Sequence, residues 1–265
     1  MKCFSIDLDG TLLNSNHEIT EENFMVLQDL HQQGHSLIIN TGRAYEDVIK
    51  FDAVRRLELP VISINGTVLY SKTRDVLYEA SLPISIYKDL MPILKEIGVW
   101  IMVYTNQGGF PCRNPEIQDK SPEEISPIFR NYDYDQILEK ENLKIYKVMA
   151  VSRVDQQEKI DQVKKAVEGK FDMSMASSHP NNVEFTSIDA NKGAALLRYQ
   201  ELVNQKFDEI FAFGDGGNDL DQFKVATTSV AMGNAPFWIQ QEADMITKTN
   251  DENGFSYAVR HLLNI

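Results

Sequence analysis

The sequence is poor in cysteine and has no long apolar run. Its 265 residues include two cysteines, Cys3 and Cys112, which are too few for a disulfide framework and favour a reducing compartment. No apolar stretch approaches the ~20 residues of a membrane-spanning helix, and no signal peptide precedes the first predicted strand. We therefore expect a cytoplasmic protein with no membrane partner.

Positive charge is also scarce. The chain has 26 lysines and arginines against 39 aspartates and glutamates, which gives a formal net charge of −13 with the histidines neutral. Nucleic acids and anionic membranes are bound by basic surfaces, so neither is an expected partner. A small phosphorylated ligand is compatible with this balance, because a local site can be positive on an acidic protein. Hydrophobic residues make up 43% of the chain, which is enough to fill a core.

Near the start of the chain, the stretch CFSIDLDGTLL carries two acidic residues at the end of an apolar strand. The alternation of apolar and polar residues predicts the strand, and residues i and i+2 of a strand point to the same side. Asp7 and Asp9 would then lie side by side and repel each other. Such a pair is expected where a cation or a reacting group lies between the two carboxylates.

Apolar strands alternate with helices in the first part of the chain and again in the last part. This order predicts an α/β core with a Rossmann-like parallel sheet, since parallel strands need helical crossovers. Residues 83–187 instead mix helices with short strands, which predicts an inserted α+β domain. The core would then consist of residues 1–82 and 188–265.

Two stretches have distinct local patterns. The sequence AYEDVIKFDAVRRL (residues 44–57) has a helical pattern and is predicted as one helix. The sequence NQGGFPCRNPEIQDKSP (residues 106–122) is the stretch richest in glycine and proline, and it is predicted as an irregular loop.

The loops that follow the predicted core strands carry the polar residues. Ligands of parallel sheets bind outside the carboxyl ends of the strands, where this chain places DLDGT, NTGR, NGT and GDGGNDLD. Clustered carboxylates suit a hard divalent cation, most simply Mg²⁺. A hydroxyl, backbone N–H groups and a lysine beside that cation suit a phosphoryl group. One carboxylate can attack phosphorus to form an aspartyl-phosphate, and the other can act as general acid and base.

Four motifs, DLDGT, TGR, NKG and GDGGND, occur in this order along the chain. They resemble the four motifs of the haloacid dehalogenase-like superfamily and, more narrowly, of its Cof-type phosphatases with a type IIB cap. The resemblance implies a core of that fold, the inserted domain as a cap, Mg²⁺ as cofactor and a small phosphorylated metabolite as substrate.

The resemblance also implies roles for individual residues. Asp7 would be the nucleophile and a metal ligand, and Asp9 the general acid and base with its backbone carbonyl on the metal. Asp215 would be the remaining metal ligand, and Asp219 would support the metal site and orient Lys192. The implied phosphate-binding residues are Thr41, Gly42, Lys192 and Asn218.

The remaining candidates are less specific. Arg43, Arg113 and His179 are candidate contacts to the substrate. Arg43 can equally pair with a core carboxylate, His179 can be a plain turn residue, and Thr41 on its own can be a helix N-cap. Two departures from the family pattern, Asn40 before TGR and the sequence LDQF after GDGGND, touch no catalytic position of that pattern.

The function hypothesis is a Mg²⁺-dependent phosphomonoesterase that hydrolyses a small phosphorylated metabolite, such as a sugar phosphate, through an aspartyl-phosphate. A phosphomutase of the same superfamily would transfer the phosphoryl group to a second hydroxyl instead of water. A signalling module switched by phosphorylation of an aspartate is the alternative from another class. Receiver modules are roughly half this length and need no inserted domain, so the hydrolase is favoured.

Overall fold

The computed structural model describes residues 1–112, 114–117, 120–177 and 179–262. It divides into two compact units, one formed by Met1–Glu79 with Ala190–Ile265 and the other by Ala80–Asp189. The sequence predicts the junctions after residue 82 and before residue 188. Among the described residues, no helix combines the length and the apolarity that a bilayer crossing requires.

The regular elements follow one another in a strand–helix order in the first unit and a mixed order in the second. The first part of the chain forms β1 (Lys2–Ile6), α1 (Glu21–Gln32), β2 (Ser36–Asn40), α2 (Tyr45–Val48), α3 (Asp52–Arg56), β3 (Val61–Ser63), β4 (Val68–Tyr70) and β5 (Val76–Glu79). The inserted unit forms α4 (Ile84–Ile97), β6 (Trp100–Thr105), β7 (Gly108–Phe110), α5 (Asn114–Ile117), α6 (Pro122–Arg130), β8 (Ile145–Val151), α7 (Glu158–Val167), β9 (Met173–Ala176) and β10 (Asn182–Ser187). The chain then forms α8 (Lys192–Leu202), β11 (Glu209–Gly214), α9 (Leu220–Val225), β12 (Thr228–Ala231), α10 (Phe237–Gln240), β13 (Met245–Ile246) and α11 (Gly254–Tyr257).

The described strands of the first unit form one sheet of eight, in the order β13-β12-β11-β1-β2-β3-β4-β5. The pairs from β13 to β3 are parallel, and β4 and β5 add an antiparallel hairpin at one edge. The predicted α/β fold with a parallel sheet is therefore confirmed. Because β1 lies between β2 and β11, the loops after these three strands meet at one edge of the sheet, where ligands of this fold class bind.

The helix α1 illustrates how the sequence sets the elements of this unit. Thr20 accepts a hydrogen bond from the Asn23 backbone N–H at 3.2 Å and so caps the helix. Val26, Leu27 and Leu30 form its buried side and pack into the main hydrophobic core.

The predicted single helix over residues 44–57 is wrong, because the chain forms α2 and α3 separated by a break. Phe51 has extended backbone angles (φ −72°, ψ 124°), which are incompatible with a continuous helix. Its ring packs against the same core as Val48 and Val54. The break therefore lets three apolar side chains reach one core.

The inserted unit is an antiparallel sheet, in the order β7-β6-β8-β10-β9, with a hydrophobic core that includes residues of α4 and α7. The predicted irregular loop at residues 106–122 is corrected in part. Gly109 and Phe110 pair with Tyr104 and Val103 of β6, and residues 114–117 form α5. Strand pairing needs only main-chain groups, so the glycines do not prevent it.

The glycine of the NKG motif lies at a close approach of α8 and α9. A Cβ atom added to Gly193 would lie 2.1 Å from the backbone oxygen of Asp221. Alanine normally favours a helix over glycine, but here it would force the two backbones apart. We expect Gly193→Ala to lower the free energy of unfolding by about 1–3 kcal/mol, measured by urea denaturation.

Leu197→Ala is the matched control on the same helix, because Leu197 is 42% exposed. This substitution should change the free energy of unfolding by no more than about 0.5 kcal/mol. A Gly193→Ala protein as stable as the wild type would contradict the close approach of the helices.

Candidate active site

The carboxyl end of β1 leads directly into the acidic stretch. The strand ends at Ile6, and Asp7 follows it with 5% of its surface exposed. The chain then turns through Leu8–Leu12, where Gly10 has a positive φ of 73°. The expectation that Asp7 and Asp9 lie side by side at the end of one strand is wrong, because β1 ends at Ile6 and the turn gives Asp9 different surroundings from Asp7.

A buried ion cluster joins Asp7 to the two other loops. Lys192, the first residue of α8, is 1% exposed. Its Nζ donates hydrogen bonds to Oδ1 of Asp7 at 2.6 Å and to Oδ1 of Asp219 at 2.7 Å. The start of α8 is fixed by Asn191, whose side chain accepts from the Ala194 backbone N–H at 2.7 Å. A buried lysine is tolerable here because two carboxylates pair with it.

Asp219 uses both of its carboxylate oxygens as acceptors for nearby donors. Oδ1 accepts from Lys192 and, at 2.7 Å, from Nε2 of Gln222. Oδ2 accepts from the backbone N–H groups of Asp215 and Gly216, each at 3.0 Å. Asp219 therefore shapes the loop after β11 and holds the lysine at the same time.

Asp215 completes the acidic cluster. Within the described part of the chain, Asp7, Asp215 and Asp219 form the group able to hold a metal ion, with one oxygen of each within 4.8 Å of the others. Thr11 donates a hydrogen bond from its hydroxyl to Oδ1 of Asp215 at 3.2 Å. A Cβ atom at Gly10 would lie 2.2 Å from Oδ2 of Asp215, so the glycine lets the two loops touch.

The electrostatics of the cluster follow from burial and from an excess of negative charge. Burial raises the pKa of Asp7 well above its usual range, and the neighbouring carboxylates raise it further while Lys192 opposes them. Burial, followed by the charge of Asp219, raises the pKa of Asp215 to about 7. Burial alone would lower the pKa of Lys192, but Asp219 and Asp7 outweigh it and raise the value. The three carboxylates share one lysine, so a further cation would relieve their repulsion.

Asp9 is more exposed and is paired with an arginine. Its side chain is 48% exposed, and Arg43 donates to both of its oxygens, at 2.7 Å from Nε and 2.5 Å from Nη2. His17 is also near the Asp9 carboxylate, with its Nδ1 3.8 Å from Oδ1. Of the two expectations for Arg43, the structure shows the pairing with a core carboxylate.

The predicted phosphate-binding residues outside the ion cluster lie on the loops after β2 and β11. Thr41 is buried, and its hydroxyl oxygen accepts from the Arg43 backbone N–H at 3.2 Å. The next helix, α2, begins at Tyr45 with Ala44 as its N-cap, so the alternative that Thr41 caps a helix is wrong.

Asn218 donates from its side-chain amide to Oδ1 of Asn65 at 3.0 Å. A Cβ atom at Gly42 would lie 3.0 Å from that same oxygen.

The inserted unit contains the two other candidate substrate contacts, Arg113 and His179. Arg113 lies outside the described residues. His179 is exposed in the turn between β9 and β10, where its backbone N–H donates to the Asn182 side chain at 3.2 Å. Its role as a substrate contact stays a prediction.

Sequence reasoning missed three residues that the structure places at the site. Thr11, the threonine of DLDGT, contacts Asp215. Asn65, the asparagine of the NGT loop after β3, contacts Asn218, and Gln222 contacts Asp219. Thr11 could have been found from its position in the motif. Gln222 belongs to LDQF, the stretch that departs from the family pattern. The sequence did not show which residue Gln222 would contact.

Comparison with known proteins agrees with this geometry. A family model for haloacid dehalogenase-like hydrolases matches residues 4–259. Phosphatase YwpJ of Bacillus subtilis is 31% identical over 287 residues, covering 99% of this chain and 100% of that protein. The 5-amino-6-(5-phospho-D-ribitylamino)uracil phosphatase YwtE of the same species is 27% identical, covering 99% and 98%. A solved haloacid dehalogenase-like hydrolase from B. subtilis has a TM-score of 0.87 and 28% identity, covering 99% of this chain and 100% of that one.

The structure is an α/β fold whose parallel strands end at an acidic cluster around a buried lysine. The chain belongs to the haloacid dehalogenase-like hydrolases. The haloacid dehalogenase-like family predicted from the four motifs is therefore confirmed.

The raised pKa of Asp215 predicts a pH dependence of stability in the metal-free protein. The folded-state pKa of about 7 lies above the ordinary value of 3.8. The stabilising contribution of this group is therefore complete below about pH 4 and is lost as the pH rises through about 7. We expect the melting temperature of the wild type, relative to Asp215→Asn, to fall between about pH 5 and pH 8 in EDTA.

Asp244→Asn is the control, because hydrogen bonds from the Ser229 backbone N–H and hydroxyl lower the pKa of Asp244. Its contribution is lost only as the pH falls through that lowered value, so the difference from the wild type should be constant over the same window. A constant difference for Asp215→Asn as well would show that Asp215 does not titrate there.

Proposed function

We propose that this protein is a Mg²⁺-dependent phosphomonoesterase that acts on a small phosphorylated metabolite through an aspartyl-phosphate intermediate. The observation that carries the proposal is the buried Asp7 carboxylate, bonded to Lys192 at 2.6 Å and clustered with Asp215 and Asp219. A buried carboxylate beside a fixed cation suits an attack on phosphorus, since the lysine can neutralise the phosphoryl oxygens. Membership of a hydrolase family with phosphatase relatives supports the same reaction.

The proposed reaction has two steps. An oxygen of Asp7 attacks phosphorus, the ester P–O bond breaks, and the departing alcohol oxygen takes a proton from Asp9. Water then gives a proton to Asp9 and attacks the same phosphorus, which breaks the bond to Asp7 and releases inorganic phosphate. Lys192, Thr41, the backbone of Gly42 and Asn218 are proposed to hold the phosphoryl oxygens during both steps.

The donor set at the cluster fits a hard divalent cation. Asp7 and Asp215 are proposed as side-chain ligands, and the backbone carbonyl of Asp9 as a third. Asp219 is proposed to support the site without binding the metal, because its oxygens already accept from four donors. When bound, Mg²⁺ supplies positive charge that offsets the repulsion between these carboxylates and the phosphate.

Asp9 requires a change of partner during the proposed reaction. Arg43 holds both of its oxygens, and a carboxylate in a bidentate arginine pair has no proton to donate. An incoming phosphate dianion offers Arg43 an alternative partner of the same geometry. The exposure of Asp9 leaves room for that exchange.

The substrate class is proposed from the relatives. YwtE acts on a phosphorylated ribitylamino-uracil, so a small metabolite with a phosphate on a sugar-like chain is the class proposed for this protein. The acidic surface, with a net charge of −13, disfavours polyanionic macromolecules.

The first test is phosphate release from p-nitrophenyl phosphate and from a panel of metabolite phosphates, with Mg²⁺ or with EDTA. We expect turnover that requires the metal and that falls by about a thousandfold or more in Asp7→Asn. Asp29→Asn, a substitution on the exposed side of α1, is the control and should keep full activity. Turnover that survives Asp7→Asn would rule out the aspartyl-phosphate route.

A second test separates hydrolysis from the mutase and signalling alternatives. Asp9→Asn removes the group that activates water, so we expect turnover to fall by about 10²–10⁴-fold. We also expect the phosphorylated protein to persist in this variant, as measured by intact-protein mass spectrometry after acid quenching. A wild-type phosphoprotein as long-lived as that of the variant would favour a phosphorylation switch, and phosphate transfer to an added sugar would favour a mutase.

A further inference from the structure

Three fully buried polar side chains lie next to the Lys192–Asp219 pair. Ser5 on β1, Asn40 at the end of β2 and Gln222 on α9 are each 0% exposed. Ser5 donates to Oε1 of Gln222 at 2.7 Å, and Asn40 donates to the same oxygen at 3.2 Å and to the Ser5 hydroxyl at 3.1 Å. These three residues, named the Gln222 triad, therefore form one closed hydrogen-bonded group.

The triad contacts the ion cluster at two points. Nε2 of Gln222 donates to Oδ1 of Asp219 at 2.7 Å, the oxygen that also accepts from Lys192. Nδ2 of Asn40 donates to the backbone carbonyl of Lys192 at 3.1 Å. The triad thus holds both the carboxylate that orients the lysine and the main chain that carries it.

The orientation of the glutamine amide is fixed by its partners. Nε2 faces the carbonyl of Phe213 at 3.1 Å and the carboxylate of Asp219, and both are acceptors without a proton. A reversed amide would place its oxygen against two other oxygens. Gln222 therefore acts as a donor toward Asp219 and as an acceptor toward Ser5 and Asn40.

The need to fill space in the core does not explain why these three buried side chains are polar. A buried polar side chain costs free energy unless its hydrogen bonds are made, and Oδ1 of Asn40 has no partner among the described residues. Apolar side chains would fill the same volume without that cost. The two positions that depart from the family pattern, Asn40 and the glutamine of LDQF, are moreover bonded to each other.

We propose that Gln222, held by Ser5 and Asn40, is a positioning residue that sets the place of the Asp219 carboxylate and, through it, of the Lys192 ammonium beside Asp7. This inference rests on the proposed phosphomonoesterase function. Without the Gln222 donor, Oδ1 of Asp219 keeps Lys192 as its partner and draws it more strongly. The ammonium then lies less favourably for the phosphoryl group at Asp7.

The test compares Gln222→Met and Gln222→Glu with Gln200→Met in p-nitrophenyl phosphate hydrolysis at saturating Mg²⁺. Methionine removes both halves of the amide, whereas glutamate keeps an acceptor, removes the donor toward Asp219 and adds a negative charge beside it. Gln200 lies on α8 and accepts from the Phe207 backbone N–H at 3.1 Å, so its variant loses a hydrogen bond remote from the cluster. Thermal melting establishes that each variant is folded at the assay temperature.

We expect kcat to fall about tenfold or more in both Gln222 variants, with a smaller change in KM, and to stay within about twofold of the wild type in Gln200→Met. A Gln222 variant that is folded and keeps the wild-type kcat would overturn the inference. The fall in Gln222→Met is the discriminating result, because this near-isosteric change adds no charge and a packing role alone would leave the kcat of the folded variant unchanged, whereas Gln222→Glu also brings a second carboxylate against Asp219.

Ser5→Ala keeps the test decisive if the Gln222 variants do not fold. It removes a single hydroxyl that donates to Gln222, and we expect a fall in kcat of a few-fold without loss of folding; an unchanged kcat would overturn the inference. Absence of turnover in the wild type would overturn the proposed function and this inference together. An active wild type with unaffected variants would overturn the inference alone.

Discussion

The structure of the site depends on one buried ammonium group. Lys192 begins α8, and its Nζ joins the end of β1, through Asp7, to the loop after β11, through Asp219. Removing one partner of a buried ion pair typically costs about 3–5 kcal/mol, because the other charge stays buried and unpaired. Both carboxylates and the lysine are therefore held in place by the same interaction, and a loss at any one of them would disturb two loops.

The close contacts of the glycines follow from that arrangement. Asp219 packs so tightly against the end of β11 that a Cβ atom at Gly214 would lie 2.2 Å from its carboxyl carbon. The start of α8 is brought equally close to α9, as the contact between Gly193 and Asp221 shows. The glycines of the GDGGND and NKG motifs thus serve the approach of main chains around the ion cluster rather than flexibility.

The sequence alone was sufficient for the features that repeat or that lie next to each other along the chain. Strand and helix periodicity predicted the parallel sheet, and the order of four motifs predicted the family. The partners of side chains far apart in sequence were not predictable in this way. Asn40 and Gln222 are 182 positions apart, and their hydrogen bond depends on how β2 and α9 meet in three dimensions. The break between α2 and α3 at Phe51 was not predicted for a similar reason. The helical pattern of residues 44–57 does not reveal which core the Phe51 ring packs against.

The two aspartates of DLDGT show how one turn gives identical side chains different surroundings. Because β1 ends at Ile6, Asp7 stays against the sheet, where burial and three other carboxylates raise its pKa. The chain then turns through Gly10, and Asp9 emerges with half of its surface exposed and an arginine on both oxygens. A strand that continued through Asp9 would have placed both carboxylates on one face. The early end of the strand therefore separates a buried carboxylate held against Lys192 from a half-exposed one held by Arg43, and the different roles proposed for Asp7 and Asp9 rest on this difference.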